Sequence, residues 1–461
     1  MNSNSDTNFS SVEGIINDDW SFEELKTSET LWGPHGYHRY PAKFIPQLVR
    51  RIIDKYSNPE DMVCDSFLGS ATTGVEAIRA KRKFFGADIN PVALLISQVK
   101  CNPIPPEELS HAWLEVQKAI VSVPKVGRRK LNNHEKELIK STKIASATPD
   151  ERLKYWFPAP YYQALETLLE LLLEHESLNT RLFFLCAFSN ILRRCSIWLS
   201  GSTKPQKDIN KYLNDPFESF HQQVKRMMKG NKLYWDDLTQ NNISVADVQE
   251  TYALALGNAQ SLPLQTGSVD LLVTSPPYAT CYEYIQLHQL TQLWFDKKGL
   301  FTNNDWRGES IGSKILHNGH VESDTSSSIG SKAAENMIEA LVELSRTSVG
   351  SPAAREARAL TRYFKDMNIV LAECARVVCQ GKFLVLVIGD SKRRGLEVPT
   401  SAALCEMAID YGFVLHERIV RKVAGRILVS TRDEKTGRFS SRKNSNSYAY
   451  PKENILVFKK H

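Results

Sequence analysis

The chain has 461 residues, of which 42% are hydrophobic and 24% charged, the composition of a globular protein rather than a disordered or fibrous one. That length accommodates one large domain with insertions, or two domains. The formal charge of +6 is unevenly spread: the first thirty residues lean acidic, while residues 125–143, 204–232 and 418–443 are basic, as on a solvated surface or one that meets a polyanion.

The N-terminus, M-N-S-N-S-D-T-N, has neither the basic nor the apolar region of a secretion signal. In chain order, D61-M-V-C-D65 reads as a strand, Thr73 to Lys81 as a helix and K83-F-F-G-A-D88 as a second strand, a βαβ unit that starts a parallel sheet. After Pro91 the pattern is helical for about 150 residues: Glu107 to Val121, Tyr161 to Glu176 and Arg181 to Leu199 carry apolar residues at helical spacing. This stretch, 101–249, is read as an α-helical insertion. Its most apolar part, Leu182 to Leu199, holds Arg193 and Arg194 in its middle, so no membrane span is expected and a prokaryotic cytosolic location is.

The sheet resumes with Y252-A-L-A-L256 and V269-D-L-L-V273. It continues with K382-F-L-V-L-V-I388 after a helix over Tyr363 to Cys379. F413-V-L-H-E-R-I-V420 and N454-I-L-V-F458 are predicted to close it as an antiparallel hairpin. The stretch 302–352, rich in Ser, Gly, Asn and charge, is too long for an ordinary connection and reads as a mobile loop or disorder. The eight cysteines are scattered, with no C-x-x-C pair and no Cys/His cluster at zinc spacing, so reduced thiols and no metal site are expected.

Two stretches carry chemistry. D65-S-F-L-G-S-A-T-T-G74 joins the first strand to a helix through small residues, which lets backbone approach a ligand and aims the helix N-terminus at it. Asp88, ending the next strand, is placed to accept hydrogen bonds from a ribose diol. Neither a G-x-G-x-x-G fingerprint nor a P-loop lysine is present, so a nucleoside cofactor without a nucleotide-type phosphate grip is expected. In T274-S-P-P-Y278, two consecutive prolines end a buried strand in a rigid elbow.

H35-G-Y-H-R-Y-P-A-K-F44, D65-S-F-L-G-S-A-T-T-G74, G257-N-A and T274-S-P-P-Y278 together resemble the AdoMet-dependent DNA amino-methyltransferases of the N4-cytosine kind. The later stretches R376-V-V-C-Q-G-K-F-L-V-L-V-I-G-D-S391, V398-P-T400, Y411-G-F413 and E453-N-I-L-V-F458 are similar to the same family. The resemblance implies an α/β, Rossmann-like AdoMet methyltransferase fold. Its sheet would be seven-stranded and mostly parallel, with an antiparallel C-terminal edge. The catalytic domain would be discontinuous, over 31–100 and 250–461, with an acidic segment, 1–30, before it and the helical insertion as candidate DNA-recognition region. The basic flanks Arg128 to Lys130 and Lys225 to Lys232 are the candidates for groove contacts; bracing of the sheet is the alternative role.

Carried over residue by residue, Tyr40, Pro41, Ala42 and Lys43 match the segment that closes over the methionine part of S-adenosyl-L-methionine (AdoMet). Asp65, Phe67, Gly69, Ser70, Thr72 and Thr73 match the cofactor turn. Asp88 matches the ribose-binding acid, and Asn258 and Ala259 lie where the adenine ring is bound. Ser275, Pro276, Pro277 and Tyr278 match the catalytic elbow. Three departures stand out: Ser66 replaces a common Pro, Ala71 a common Gly, and Asn258 a common Asp. The implied partner is double-stranded DNA carrying a flipped base, with a cognate restriction endonuclease compatible with the same reading. Adenine-N6 transfer is the alternative, although such enzymes more usually carry Asp or Asn at the position of Ser275; so do RNA and protein amide methyltransferases. A DNA-binding protein that keeps AdoMet without catalysis is the third reading, disfavoured by the intact Ser275, Pro276, Pro277 and Tyr278.

Overall fold

Seven strands form one sheet: β1 Met62–Asp65, β2 Lys83–Asp88, β3 Tyr252–Leu256, β4 Val269–Thr274, β5 Val378–Ile388, β8 Phe413–Lys422 and β9 Lys452–Lys460. Between β5 and β8 lies a separate two-stranded ribbon, β6 Ser391–Arg393 and β7 Leu396–Val398. A computed structural model describes residues 16–40, 43–141, 148–202, 205–279, 284–301, 310–312, 329–346, 352–423 and 452–461.

The strand order is β3-β2-β1-β4-β5-β9-β8. Pairs from β3 to β5 are parallel, and β9 runs antiparallel to both β5 and β8. The order reverses between β1 and β4, whose register pairs Val63 with Leu271 and Cys64 with Leu272. In such sheets the crevice beyond the carboxyl ends of the strands at the reversal is where ligands bind. Both stretches singled out in the sequence leave the sheet there.

The short apolar runs are strands because both of their faces are covered. Val63, Leu271 and Val273 pack with Leu48, Val49, Ile52, Val75 and Ile78 of the helices Pro46–Tyr56 and Thr72–Arg79. Cys64, Leu272 and Leu384 face the other way, onto Leu360, Phe364, Leu371 and Leu404 of the helices Pro352–Val377 and Thr400–Asp410. Asp390 caps the latter: its carboxylate accepts from Ser401 N at 2.8 Å and from Ser401 Oγ at 2.6 Å. Arg394, another polar residue beyond β5, is occupied by an ion pair with Glu356 at 3.0 Å.

The insertion is helical and has a core of its own. Leu165, Leu168, Leu169 and Leu172 of Ala159–Leu173 pack with Trp113, Phe184, Phe188 and Phe220. Trp294 and Phe295 enter the same core from Gln289–Lys297, the helix that follows the elbow in sequence. The helix read over 181–199 instead spans Leu178–Ile191. Lys211 supplies the reason: its Nζ donates to the carbonyls of Arg193 at 2.7 Å, Ser196 at 3.1 Å and Trp198 at 2.7 Å, satisfying acceptors that a helix would have paired with its own N–H groups.

Within 302–352, read as a loop, Lys332–Ser345 is helical, capped by the Ser331 side chain and buried through Ala334, Met337 and Leu341. Residues 302–309, 313–328 and 347–351 of that stretch lie outside the described residues. The closing hairpin is present as β8 and β9. Among the described residues seven cysteines are free thiols, and no helix is long and apolar enough to cross a membrane.

Candidate active site

Asp65 ends β1 and is almost fully buried. Its Oδ2 accepts from Thr73 Oγ1 at 2.7 Å, and its Oδ1 accepts from Thr274 Oγ1 at 2.7 Å and Phe67 N at 3.2 Å. Burial pushes this carboxyl up to about 6, against the lowering effect of those three donors. Thr274 is the last residue of β4, so one carboxylate fastens the cofactor turn to the elbow.

The turn after Asp65 bends through two left-handed residues. Gly69 has φ of +54°, and a Cβ there would lie 3.3 Å from the Tyr40 ring, so both conformation and space require glycine. Ala71 has φ of +51°, a conformation in which the usual glycine is easier. Its methyl is buried in the core with Val63 and Val75, which recovers about 0.8 kcal/mol of a strain of about 1–2 kcal/mol. The turn is braced from behind by Ser97 Oγ, which donates to the Gly69 carbonyl at 3.2 Å, and by buried Lys100, which donates to the Ser70 carbonyl.

Asp88 lies one strand away. Its Oδ2 accepts from Gly69 N at 2.8 Å and its Oδ1 from Asn90 N at 2.9 Å, and burial again raises the carboxyl to about 6. Gly257, after β3, donates its N–H to the Asp88 carbonyl at 3.1 Å, which sets Asn258 and Ala259 beside the same strand end. Asn258 Oδ1 accepts from Gln260 N at 3.0 Å, forming a local turn.

Tyr40 stacks near the turn with its ring 5.0 Å from that of buried His288. His288 Nδ1 meets Asn90 Nδ2 at 3.2 Å, and burial holds this imidazole down at about 3, neutral in water at ordinary pH. Lys43 Nζ donates to the His35 carbonyl at 2.6 Å, and burial lowers the amine to about 8. Pro41 and Ala42 lie outside the described residues.

At the elbow, neither Ser275 Oγ nor the Pro276 carbonyl takes part in a hydrogen bond among the described residues. Tyr278 Oη donates to Glu453 Oε1 at 2.8 Å. Glu453 Oε2 in turn accepts from Arg421 Nη2 at 2.6 Å and Nε at 3.1 Å. Gly389 lies against the Tyr278 ring. The sequence did not single out Glu453, Arg421 or Asn90. Glu453 and Arg421 face each other in register on β9 and β8, a pairing that becomes visible only once the hairpin register is known.

A family model described as DNA methylase matches residues 2–99. Over 86% of its length the chain is 25% identical to the Type II methyltransferase M.MvaI of Kocuria varians, covering 85% of that protein. It is 49% identical to the Type II methyltransferase M1.MboII of Moraxella bovis over 71 residues, 15% of this chain and 27% of that one. It is also 34% identical to the DNA adenine methyltransferase YhdJ of Escherichia coli (strain K12) over 114 residues, 25% of this chain and 34% of that one. These similarities support a DNA amino-methyltransferase.

The cofactor of this amino-methyltransferase is AdoMet, and the site has the polar atoms to receive it. Among the described residues Ser66 Oγ, Thr72 Oγ1 and His288 Nε2 are buried without a hydrogen-bond partner, flanking the turn and the Tyr40 segment. Buried polar groups left unpaired in this way cost about 1–3 kcal/mol each, a penalty that a polar ligand relieves.

Proposed function

We propose that the chain methylates the exocyclic N4 amine of a cytosine flipped out of double-stranded DNA, as the modification enzyme of a restriction–modification system or as an orphan modification enzyme. The observation that carries this reading is the pair of open acceptors at the elbow, Ser275 Oγ and the Pro276 carbonyl, beside a turn built for AdoMet.

AdoMet supplies an electrophilic methyl group on a sulfonium. The protein's task is to make a poor nucleophile competent, because the lone pair of a cytosine amine is delocalised into its ring. Ser275 Oγ and the Pro276 carbonyl accept the two amine hydrogens and hold them in the directions of a tetrahedral nitrogen. The double proline fixes that carbonyl in advance, so no reorganisation is needed as charge develops. Tyr278 offers an aromatic face for the flipped base. Asp88 accepts from the ribose diol, and Tyr40, Lys43, Phe67, Gly69, Ser70, Thr72 and Thr73 line the remaining cofactor side. His288 and His38, held neutral by burial at about 3 and about 4, bind and pack rather than donate protons. The amine proton released after transfer passes to solvent.

Kinship to a protein titled DNA adenine methyltransferase favours adenine N6 as the second reading. The serine at the head of the elbow favours cytosine. Single-turnover transfer of labelled methyl to duplex DNA tests the role of the elbow: Ser275→Ala is expected to keep both ligands and lose rate. An unchanged rate removes Ser275 from the chemistry.

A further inference from the structure

Where the helix Leu178–Ile191 stops short, the chain turns through Arg193 and Arg194, and two other segments bring arginines to the same place. Arg39 N donates to Asn190 Oδ1 at 3.1 Å, which sets Arg39 against this turn immediately before Tyr40. From Pro216–Gln240, Gln223 Nε2 donates to the Tyr37 carbonyl at 2.6 Å while Gln223 Oε1 accepts from Arg226 Nη2. Arg39, Arg194 and Arg226 are exposed, and Arg193 lies half-buried behind them with its guanidinium 4.8 Å over the Trp198 ring.

Among the described residues none of the four pairs with a carboxylate, whereas Arg79, Arg129, Arg376 and Arg421 each sit beside an acid that they hold. Like charges act on two of them. Burial first, and then the charge of Arg39, lower Arg193 to about 10; burial and then Arg194 lower Arg226. Asp208 is the acid that acts on nearby Lys211, and Lys211 is itself spent on the three carbonyls that hold the turn. The cluster adjoins the site through two contacts: Tyr40 follows Arg39 and packs on the cofactor turn, and Arg193 acts on His288.

We infer that Arg39, Arg194 and Arg226, with Arg193 behind them, form a clamp for the DNA backbone phosphates that flank the base being methylated. This rests on the reading of the chain as a DNA methyltransferase. Arg193 also donates to the Ser202 carbonyl and Arg226 to Gln223 Oε1, but neither meets a carboxylate, and guanidiniums without an acid partner fit phosphate oxygens, which accept their forked donors. Such contacts position the duplex without reading its sequence. The clamp draws Arg226 from the basic run 225–232, whereas Arg129 is paired with Glu135 at 2.7 Å and Lys232 with Asp236 at 2.8 Å. It also ties DNA to cofactor, because the segment that carries Arg39 carries Tyr40.

The test is duplex affinity as a function of salt for the full-length protein, using a duplex of random sequence, with Arg39→Gln, Arg194→Gln and Arg226→Gln singly and together. The triple variant is expected to bind on the order of tenfold more weakly or worse and to show a salt slope shallower by roughly 2–3, about 0.9 for each phosphate no longer neutralised. Its AdoMet affinity and melting temperature should be unchanged or raised, since repulsion is removed. Lys83→Gln, a charge removed at the opposite end of the strands, should leave the slope as it was. A triple variant with the wild-type slope and affinity overturns the clamp while leaving methyl transfer by the wild type intact. A wild type that neither binds nor methylates duplex DNA overturns the functional reading, and the clamp with it.

Discussion

Thr274 Oγ1 donates to Asp65 Oδ1 at 2.7 Å, and the same hydroxyl accepts from Phe67 N at 3.2 Å. One side chain at the end of β4 therefore fixes the first residues of the cofactor turn, and the next residue in the chain is the serine of the elbow. On the proposed function, this contact sets the spacing between the cofactor turn and the elbow.

Thr274→Val keeps the shape and removes the hydroxyl, leaving Asp65 and Phe67 N each short of a partner in a buried place. AdoMet binding and folding stability are together expected to lose about 1–3 kcal/mol. Thr274→Ser should recover most of it. Calorimetric titration with AdoMet, alongside thermal unfolding, checks the expectation. A valine variant with wild-type values in both would mean that Asp65 does not depend on Thr274.

The Tyr278 hydroxyl is a second point of control. From sequence, Tyr278 reads as an aromatic face, for which phenylalanine would substitute well. Its bond to Glu453, itself gripped by almost fully buried Arg421, shows that the ring is also aimed. Tyr278→Ala is expected to lower transfer by on the order of 1–3 kcal/mol as base stacking is removed. Tyr278→Phe and Glu453→Ala should fall between it and wild type, with AdoMet affinity intact. Single-turnover rates decide. Equal rates for Tyr278→Phe and wild type would reduce the Glu453 contact to packing.

Acid should weaken cofactor binding. Burial raises Asp88 from 3.8 to about 6, and only its charged form is a strong acceptor for the ribose diol. AdoMet affinity is expected to be flat above about pH 7 and to fall as pH drops through about 6. Asp88→Asn should flatten that fall while weakening binding at neutral pH by roughly 1.5–3 kcal/mol. For folding the sign is opposite. The folded protein keeps a proton on this raised carboxyl that the unfolded chain has released near 3.8, so its contribution to stability is full below that value and is lost as pH rises through about 6. Titration calorimetry across this range checks the binding limb, and affinity that tightens in acid would contradict it.

Local pattern made much of the molecule legible. Strands buried on both faces announce themselves as apolar runs, so β1, β2, β4 and β5 could be read from residues such as Val269 to Val273, and the parallel start of the sheet from the βαβ unit around the small-residue turn at Gly69. What escaped depended on contacts distant in sequence. The chain does not continue as a helix past Ile191, where Lys211, from a different segment, takes the carbonyls of Arg193, Ser196 and Trp198. Ala71 adopts a positive φ that its side chain disfavours, because the neighbouring core holds its methyl. Glu453 sits beside Tyr278 because β9 pairs with β5, and beside Arg421 because β9 pairs with β8. The arginine cluster draws on residues 39, 193, 194 and 226, which no window along the chain joins.

Which atom is methylated decides between cytosine and adenine. Duplex DNA incubated with the protein and methyl-labelled AdoMet, digested to nucleosides and resolved by mass spectrometry, reports it directly. The label is expected in N4-methylcytosine and is expected to be lost with Ser275→Ala. Label found in N6-methyladenine alone would contradict the assignment to cytosine, and no label in DNA would contradict the account as a whole.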